Sequence, residues 1–255
     1  MPEGDTIARI AARLAPVLEG ETLTRFEAPR HSGVAPEPGE VIESVRAHGK
    51  YLNVTFSGGL SVQSHLRMSG SWHLYRSEET WQRPEHQARV IIGVEGYDAV
   101  CFLAPTVRIF ATNSVDPLRH LGPDLCLPDV DIDTVVARAI GLVDGAADIA
   151  TLVLDQRVAA GIGNVFKSEA LFACGIDPRR SAVAVSASEL HALFATAHRQ
   201  LRSNLGPGPR TTVPQGLAVY GRAGAPCWTC GDTVRSVRTG EPARVTYWCP
   251  TCQPA

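Results

Sequence analysis

The spacing of hydrophobic residues at the start of the chain predicts a helix over residues 3–19. Its apolar positions recur every three or four residues and are Ile7, Ile10, Leu14 and Leu18. Gly20 supplies a stop signal after the last of them. Pro16 lies inside the pattern, and because proline lacks a backbone N–H it should kink or shorten the last turn.

From about Thr22 to Phe110 the pattern changes to short apolar runs separated by turn residues, which predicts strands. The runs are 41–42, 51–56, 60–62, 72–75, 89–92 and 100–103. The segments 57–59 and 95–98 are rich in glycine and polar residues and predict hairpin turns. Many short strands with regular turns indicate an antiparallel sandwich or barrel.

After Pro117 the helical spacing returns, with helices predicted over 132–142, 148–156 and 165–174. Ser186-Ala-Ser-Glu189 matches a capping box and opens a further helix that runs to about Leu205. Gly206–Pro209 ends this helix and begins a linker of about twenty residues. The chain therefore divides into a β-rich and a helical domain with a boundary near residue 125.

Two Cys-x-x-Cys pairs, separated by eighteen residues, occupy the C-terminal end. The four residues are Cys227, Cys230, Cys249 and Cys252. Four thiolates at two tight turns suit a tetrahedral structural zinc ion, which would hold a ribbon too small for its own core. The alternatives are two disulfides or a redox pair. Disulfides fit poorly because the N-terminus carries no secretory signal.

The remaining cysteines show no pairing pattern and lie in apolar stretches, where they are expected to be inert core residues. They are Cys101, Cys126 and Cys174. No apolar run approaches the roughly twenty residues that a membrane span needs. A reduced cytoplasmic compartment is therefore expected.

The net charge of −2 conceals an uneven distribution. Residues 157–255 hold eleven basic and five acidic side chains, which leaves +6, whereas residues 1–156 hold thirteen basic and twenty-one acidic, which leaves −8. Such a split indicates a basic surface on one part of the chain, and a chance asymmetry is the alternative. Only two of the 24 basic residues are lysines, Lys50 and Lys167, so each lysine is a candidate for a specific role.

The glycine-rich turn 159–164 precedes a predicted helix, where backbone N–H groups form a ready anion site. Asn164 could donate its side-chain amide to a phosphate, and Lys167 follows one turn later. Glycines also let helices pack closely, so the turn alone is weak evidence. Combined with a basic domain and a zinc ribbon, it favours phosphate binding.

A series of motifs resembles, in the same order, the formamidopyrimidine-DNA glycosylase/endonuclease VIII family of base-excision repair enzymes. The motifs are Met1-Pro-Glu-Gly4, Gly49-Lys-Tyr-Leu52, His65-Leu-Arg-Met-Ser-Gly70, Leu121-Gly-Pro-Asp124, the segment 155–164, Val219-Tyr-Gly-Arg222 and the four cysteines. The resemblance implies an α+β multidomain fold. Its parts would be an N-terminal β-sandwich domain with a leading helix (1–125), a helix–two-turn–helix domain (126–210), and a linker with a zinc finger (211–255).

The resemblance also implies the catalytic residues. Removal of Met1 would make Pro2 the N-terminus, and its secondary amine could attack the sugar of a damaged nucleotide and form a Schiff base. Glu3 is the expected proton shuttle. Lys50 would be a cation near the sugar and its phosphate. The alternative for Pro2 and Glu3 is an ordinary helix start, with Pro2 suited to the first turn and Glu3 a favourable first-turn acid.

The remaining implied residues contact DNA. Arg244 matches the finger arginine that grips phosphates and aids the second elimination, with an exposed strand arginine as the alternative. Met68 would fill the void left by an extruded base, beside Arg67. Asn164 and Lys167 complete the expected DNA contacts.

Departures from the family pattern favour the endonuclease VIII-like branch and oxidised pyrimidines. The purine-repairing branch adds an Arg and a Phe from an Asp-Pro-Arg-Arg-Phe-Gly loop, and this chain has Ala104-Pro-Thr-Val-Arg-Ile-Phe-Ala111 there instead. The roles are therefore not transferred to Arg108 and Phe110. The segment from Gly206 to Val219 is also too short for the lesion-capping loop.

These motifs together predict a bifunctional DNA glycosylase and abasic-site lyase that cleaves by β,δ-elimination. The alternatives are a purine-specific glycosylase and a catalytically silent DNA-binding relative. We expect damaged DNA as the partner, one structural zinc ion, no small-molecule cofactor and no membrane, in a monomer of the prokaryotic cytoplasm associated with the nucleoid.

Overall fold

The computed structural model describes residues 2–143, 145–239 and 243–255, with the side chain of Thr239 excepted. It forms two compact units, Met1–Arg119 and His120–Ala255. The sequence instead predicts a boundary near residue 125 and a separate finger segment from 211. That three-part division stays a prediction.

The first helix, α1, spans Gly4–Leu18, close to the predicted 3–19. It runs through Pro16 to Leu18, so the proline does not shorten it as expected. Gly20 follows the helix with φ +84°, a left-handed conformation that glycine adopts without steric cost. The apolar face of α1 is buried, with Ile7, Leu14 and Leu18 all inaccessible to solvent.

Eight strands of the first unit form two four-stranded sheets. They are β1 (Arg25–Glu27), β2 (Ile42–His48), β3 (Tyr51–Phe56), β4 (Leu60–His65), β5 (Ser71–Arg76), β6 (Ala88–Val94), β7 (Tyr97–Phe102) and β8 (Thr106–Ala111). One sheet has the order β1-β6-β7-β5 and the other the order β2-β3-β4-β8, and all described pairs are antiparallel.

The hydrophobic core of this unit joins α1 and both sheets. Val54, Phe56 and Val62 from one sheet share a buried cluster with Val90 and Ile92 from the other. Because alternate side chains of each strand point to opposite faces, the two inner faces together exclude water. The structure is therefore a sandwich, one of the two architectures that the strand pattern alone allows. Both predicted hairpin turns are present, between β3 and β4 and between β6 and β7.

The second unit contains four helices: α2 (Ile132–Leu142), α3 (Ile149–Leu154), α4 (Asn164–Ala173) and α5 (Ala187–Ser203). Side-chain caps define the starts of α2, α3 and α5, because Asp131 and Asp148 accept backbone N–H bonds and Ser186 with Glu189 forms the predicted capping box. Gly175 has φ +67° just after α4. No helix within the described residues is both long and apolar enough to cross a membrane.

The chain ends in a two-stranded antiparallel ribbon of β9 (Arg235–Thr239) and β10 (Arg244–Trp248). A small buried cluster lies under it and contains Val219, Cys227, Val234 and Cys249. The ribbon packs against α4, so the second unit includes both the helices and the cysteine-rich end.

Candidate functional site

The N-terminal residues are placed at the start of α1 but not inside it. Glu3 is the N-cap residue in extended conformation, and its carbonyl accepts the N–H groups of Thr6 and Ile7. Pro2 therefore precedes the cap, which corrects the alternative that it occupies the first helical turn. The first-turn acid is Asp5 rather than Glu3.

The side chain of Glu3 is inaccessible to solvent. It forms no capping hydrogen bond to the first turn. Residues at an N-cap lie near the positive end of the helix dipole, which stabilises a carboxylate there. The structure thus holds an acidic group, shielded from bulk water, directly next to partly buried Pro2.

Lys50 lies in the tight turn between β2 and β3. The turn depends on Gly49, whose φ of +55° is a left-handed conformation. Strand β3 starts at the next residue, Tyr51, which pairs with His65 at the end of β4. The rings of Tyr51 and His65 meet edge to face, with centroids 4.7 Å apart. Lys50 is thus fixed close to the end of β4.

His65 is a polar residue of this region to which the sequence reasoning gives no role. Burial lowers its pKa to about 4, and the charges of Lys50 and Arg67 add to the effect. The backbone N–H of Arg67 donates to His65 Nδ1 at 3.2 Å, so in the neutral ring Nε2 carries the proton. His65 is therefore a neutral donor at pH 7. Its signal in the sequence is its place in the motif 65–70.

The turn 66–70 presents Met68 outward. Gly70 N–H donates to the carbonyl of Leu66 at 2.9 Å, and a Cβ on Gly70 would lie only 2.7 Å from that oxygen. Arg67 adopts φ +47°, which tightens the turn further. As a result Met68 is 71% exposed, although methionine is usually a core residue. This is the geometry that a void-filling side chain requires.

The segment in which the purine branch has its extra loop forms strand β8 here. Arg108 pairs with Gln63 and Phe110 with Ser61 in the ladder between β4 and β8. Only Leu103–Pro105 connects β7 to β8. Arg108 and Phe110 are thus strand residues and not loop residues.

The glycine turn before α4 is ordered by its own side chains. Gln156 accepts the N–H of Gly161 at 3.2 Å and donates to the carbonyls of Leu154 and Ile162. Gly161 N–H is thus already bonded within the protein. The anion site expected at this turn therefore does not include the N–H of Gly161.

Lys167 is wholly buried, which corrects the expectation that it contacts DNA. Its Nζ donates to Asn164 Oδ1 at 2.7 Å and to Thr246 Oγ1 at 2.6 Å. Asn164 in turn donates to the carbonyl of Val245 at 2.6 Å. A buried ammonium requires such partners because desolvation disfavours its charge. Both side chains therefore tie α4 to β10 within the protein.

Arg244 is exposed at the start of β10, directly before the strand residue that Asn164 binds. It pairs in the ribbon with Thr239. The structure thus places Arg244 close to the N-terminal end of α4.

Glu169 is a buried positioning residue that the sequence reasoning does not identify. Its carboxylate accepts backbone N–H bonds from Ala218, Val219 and Tyr220 at 2.7–2.9 Å. It also accepts from the Thr212 hydroxyl. It therefore holds the motif 219–222 against α4. In the sequence, the only sign of this role is a glutamate among the apolar residues of the predicted helix 165–174.

The four cysteines of the two pairs come together, with all Sγ atoms within 4.8 Å of one another. Cys227 and Cys252 sulfurs are 3.9 Å apart, and those of Cys230 and Cys249 are 3.4 Å apart. These distances exceed a disulfide bond of about 2.05 Å. They approach the edge of about 3.8 Å in a tetrahedron with Zn–S bonds of about 2.3 Å. The cluster could therefore bind a metal ion.

The thiols of this cluster differ in their acidity. Burial raises the pKa of Cys227, but backbone N–H bonds of Cys230 and Thr229 and the neighbouring thiols outweigh it and lower that pKa to about 7. Burial and the same neighbours raise the pKa of Cys252. Outside the cluster, burial raises the pKa of Cys101 and Cys174, which agrees with an inert role for both.

Two family profiles match most of the chain. They describe the Formamidopyrimidine-DNA glycosylase N-terminal domain, over residues 1–110, and the Formamidopyrimidine-DNA glycosylase H2TH domain, over residues 121–213. The chain therefore belongs to the formamidopyrimidine-DNA glycosylase/endonuclease VIII family, which confirms the resemblance found in its motifs.

Relatives with similar sequences cover almost the whole chain. A Streptomyces coelicolor protein named "Probable endonuclease 8 2" is 40% identical over 99% of this chain and 94% of its own length. The Mycolicibacterium smegmatis DNA-(apurinic or apyrimidinic site) lyase Nei2 is 35% identical over the full length of both chains. A Moorella thermoacetica formamidopyrimidine-DNA glycosylase is 33% identical over 93% of this chain and 95% of its own. The first two names agree with the expected endonuclease VIII-like branch, and the third belongs to the other branch of the same family.

Solved structures share the fold. A complex of Lactococcus lactis formamidopyrimidine-DNA glycosylase with DNA containing an abasic site has a TM-score of 0.84 at 21% identity. It covers 99% of this chain and all of the other. The predicted α+β fold of sandwich, helical domain and cysteine ribbon is confirmed.

Proposed function

We propose that the chain carries out its family's two reactions, base removal and strand cleavage, with the N-terminal amine of Pro2 as the nucleophile. The chain is a DNA glycosylase and abasic-site lyase of base excision repair. The observation that supports Pro2 is its place directly before Glu3, whose carboxyl group is buried at the N-cap of α1. The proposal requires removal of Met1, because an amide nitrogen is not a nucleophile.

The reaction begins when the Pro2 nitrogen attacks C1′ of the damaged nucleotide and the base leaves with its bonding electrons and a proton. An α-amino group has a pKa of about 8, so an unprotonated fraction exists at neutral pH. The C1′–O4′ bond then opens as the iminium forms. Glu3 in its protonated form gives its proton to O4′, and the carboxylate that remains accepts the proton lost from C2′ in the next step.

Strand cleavage follows from the acidity of the iminium. Loss of a proton from C2′ expels the 3′ phosphate, and a second elimination expels the 5′ phosphate. Water then hydrolyses the Schiff base and regenerates Pro2. Lys50 stabilises negative charge near the sugar, and Arg244 stabilises the leaving phosphate of the second elimination.

The DNA contacts of the proposal are Arg67, Met68, Asn164 and Arg244. Met68 is exposed on a turn constrained by Gly70, which suits insertion into the stack left by the flipped nucleotide. Asn164 already donates one amide hydrogen to Val245, so only its second one is available to a phosphate. Lys167 is omitted because it is buried.

The metal of the cysteine cluster is proposed to be one structural zinc ion. The four residues that would hold it are all thiolates, which leaves no open position for water or substrate. The ion would therefore stabilise the ribbon that carries Arg244 and supply no reaction chemistry. We propose that the enzyme acts as a monomer on the DNA of a prokaryotic nucleoid.

Oxidised pyrimidines are the proposed lesions. Two features support this preference. The short connection between β7 and β8 lacks the Asp-Pro-Arg-Arg-Phe-Gly loop of the purine branch, and the segment 206–219 is short. A test compares single-turnover excision of 5-hydroxyuracil, dihydrouracil and 8-oxoguanine from otherwise identical duplexes. We expect the pyrimidines to be excised at least tenfold faster. Faster excision of 8-oxoguanine would favour a purine glycosylase instead.

A further inference from the structure

A cationic cavity of about 440 Å³ lies beside the Met68 turn in the first unit. Its polar wall contains Arg30, His31 and Arg89, and its apolar wall contains Leu103 and Pro105. None of the described residues that line it carries a carboxylate. Two guanidinium groups thus share a concave surface with no negative charge lining it.

The cavity is held open by hydrogen bonds between its walls. Ser69 Oγ donates to the carbonyl of Leu103 at 3.3 Å, and Leu103 N–H donates to the carbonyl of Gln87 at 2.9 Å. Leu103 adopts φ +52°, an uncommon conformation for leucine that these bonds maintain. The cavity is therefore preformed, and it lies between the Met68 turn and the loop between β7 and β8.

The two arginines are positioned differently. Arg89 is partly buried, and its Nη1 donates to the carbonyls of His86, Gln87 and Ala88 at 3.0–3.3 Å. Burial, and secondly the positive charge of Arg30, lower the pKa of Arg89. Arg30 is exposed and makes no hydrogen bond or ion pair with the described part of the chain. The positive charges of Arg89 and Arg30 repel each other, and an anion bound between the two side chains would offset that repulsion.

We propose that this cavity binds a backbone phosphate of the DNA near the flipped nucleotide, with the adjoining deoxyribose against Leu103 and Pro105. The inference rests on the proposed function, because it takes Met68 as the residue inserted into the duplex. Arginine suits the role because its planar guanidinium presents several donors to phosphate oxygens. The arginines of this cavity provide a DNA contact outside the basic segment 157–255.

The test measures binding to a non-cleavable abasic-site duplex over a salt series, with Arg30→Gln and Arg30→Lys variants. Loss of one phosphate contact should lower the log–log salt slope by about one, so the affinity deficit of Arg30→Gln should shrink roughly 3.5-fold between 50 and 200 mM salt. Arg30→Lys should keep the wild-type slope. Exposed Arg76 on β5 is the matched control, and Arg76→Gln should also keep it.

Single methylphosphonate substitutions along both strands then locate the phosphate. One position should weaken binding of the wild-type protein and have no further effect on Arg30→Gln. The proposal is overturned by an unchanged slope for Arg30→Gln, by an equal loss for Arg76→Gln, or by the absence of any coupled phosphate. Wild-type protein that fails to bind the duplex at all would instead contradict the proposed function.

Discussion

At the scale of single residues, the polar side chains at the start of α4 form hydrogen bonds inside the protein as well as offering a contact to DNA. Asn164 and Lys167 form a continuous set of hydrogen bonds with Val245 and Thr246. Because Arg244 precedes Val245, these bonds determine where the exposed arginine lies. The pair therefore acts on DNA binding mainly through the position of β10.

The variant Asn164→Ala tests this positional role. It removes an acceptor of the buried Lys167 ammonium and the donor to Val245, so we expect a loss of about 1–3 kcal/mol in the free energy of unfolding. Affinity for an abasic-site duplex should fall with little change in the salt slope, because asparagine is neutral. Urea titration and a binding series measure the two effects. Exposed Asn113→Ala is the control, and equal stability of both variants would contradict the role.

Arg244 itself should behave as a direct phosphate contact. In Arg244→Ala the log–log salt slope should fall by about one, whereas Arg244→Lys should retain it because the charge is kept. The free energy of unfolding should change by less than about 0.5 kcal/mol, since the residue is exposed. An unchanged slope with intact affinity would remove Arg244 from the DNA interface.

At the scale of elements, the proposed zinc ion should stabilise the cysteine ribbon more than the core of the ribbon does. Its buried cluster is small and includes two of the four cysteines. Zinc binding contributes about 10–16 kcal/mol in finger peptides. The order of β9 and β10, and with it the placement of Arg244, should therefore depend on bound zinc.

The variant Cys227→Ser should lose zinc and DNA binding together. Metal content by atomic emission and affinity for an abasic-site duplex are the measurements, and we expect affinity to fall at least tenfold. Cys174→Ser is a suitable control because Cys174 lies outside the cluster and bonds to Thr196. Full turnover by a demonstrably zinc-free protein would contradict the structural role of the metal.

The helices and strands also show which elements can be predicted from the sequence. Helix α2 matches its prediction at both ends because Asp131 caps it and its apolar spacing is regular. Strands β1 and β8 were not predicted. β1 has only three residues, and every residue of β8 is partly or fully exposed, so neither has the apolar run that indicates a strand. Pairing with β6 and β4 forms them, which is a tertiary effect.

Only part of the candidate site, like part of the fold, could be predicted from the sequence. Spacing alone identified the four cysteines, because metal ligands need fixed local turns. The motifs identified Pro2, Glu3 and Arg244, but no local pattern reports that Lys167 is buried or that Glu169 holds residues 218–220. Those contacts join residues fifty to eighty positions apart, and only the folded chain brings them together.

At the scale of the whole molecule, the proposal assigns different parts of the chemistry to the two units. The first unit contains Pro2, Glu3, Lys50 and the Met68 turn, and the second contains Arg244 and the cysteine cluster. The net charge of +6 on residues 157–255 suits a DNA-holding role for that segment, although the second unit as a whole is neutral, with 12 basic and 12 acidic residues. The first unit holds 12 basic and 14 acidic residues, a net charge of −2, and has a local cationic cavity at Arg30 and Arg89.

The central claim is that Pro2 forms the Schiff base, and borohydride trapping on abasic-site DNA tests it most directly. Protein with a free Pro2 should give one covalent adduct, which peptide mass spectrometry should locate on Pro2. Pro2→Gly should give a weaker adduct through its primary amine, and protein that retains Met1 should give none. An adduct on Lys50 or Lys167, the two lysines of the chain, or no adduct from DNA-bound protein with a free Pro2, would contradict the claim.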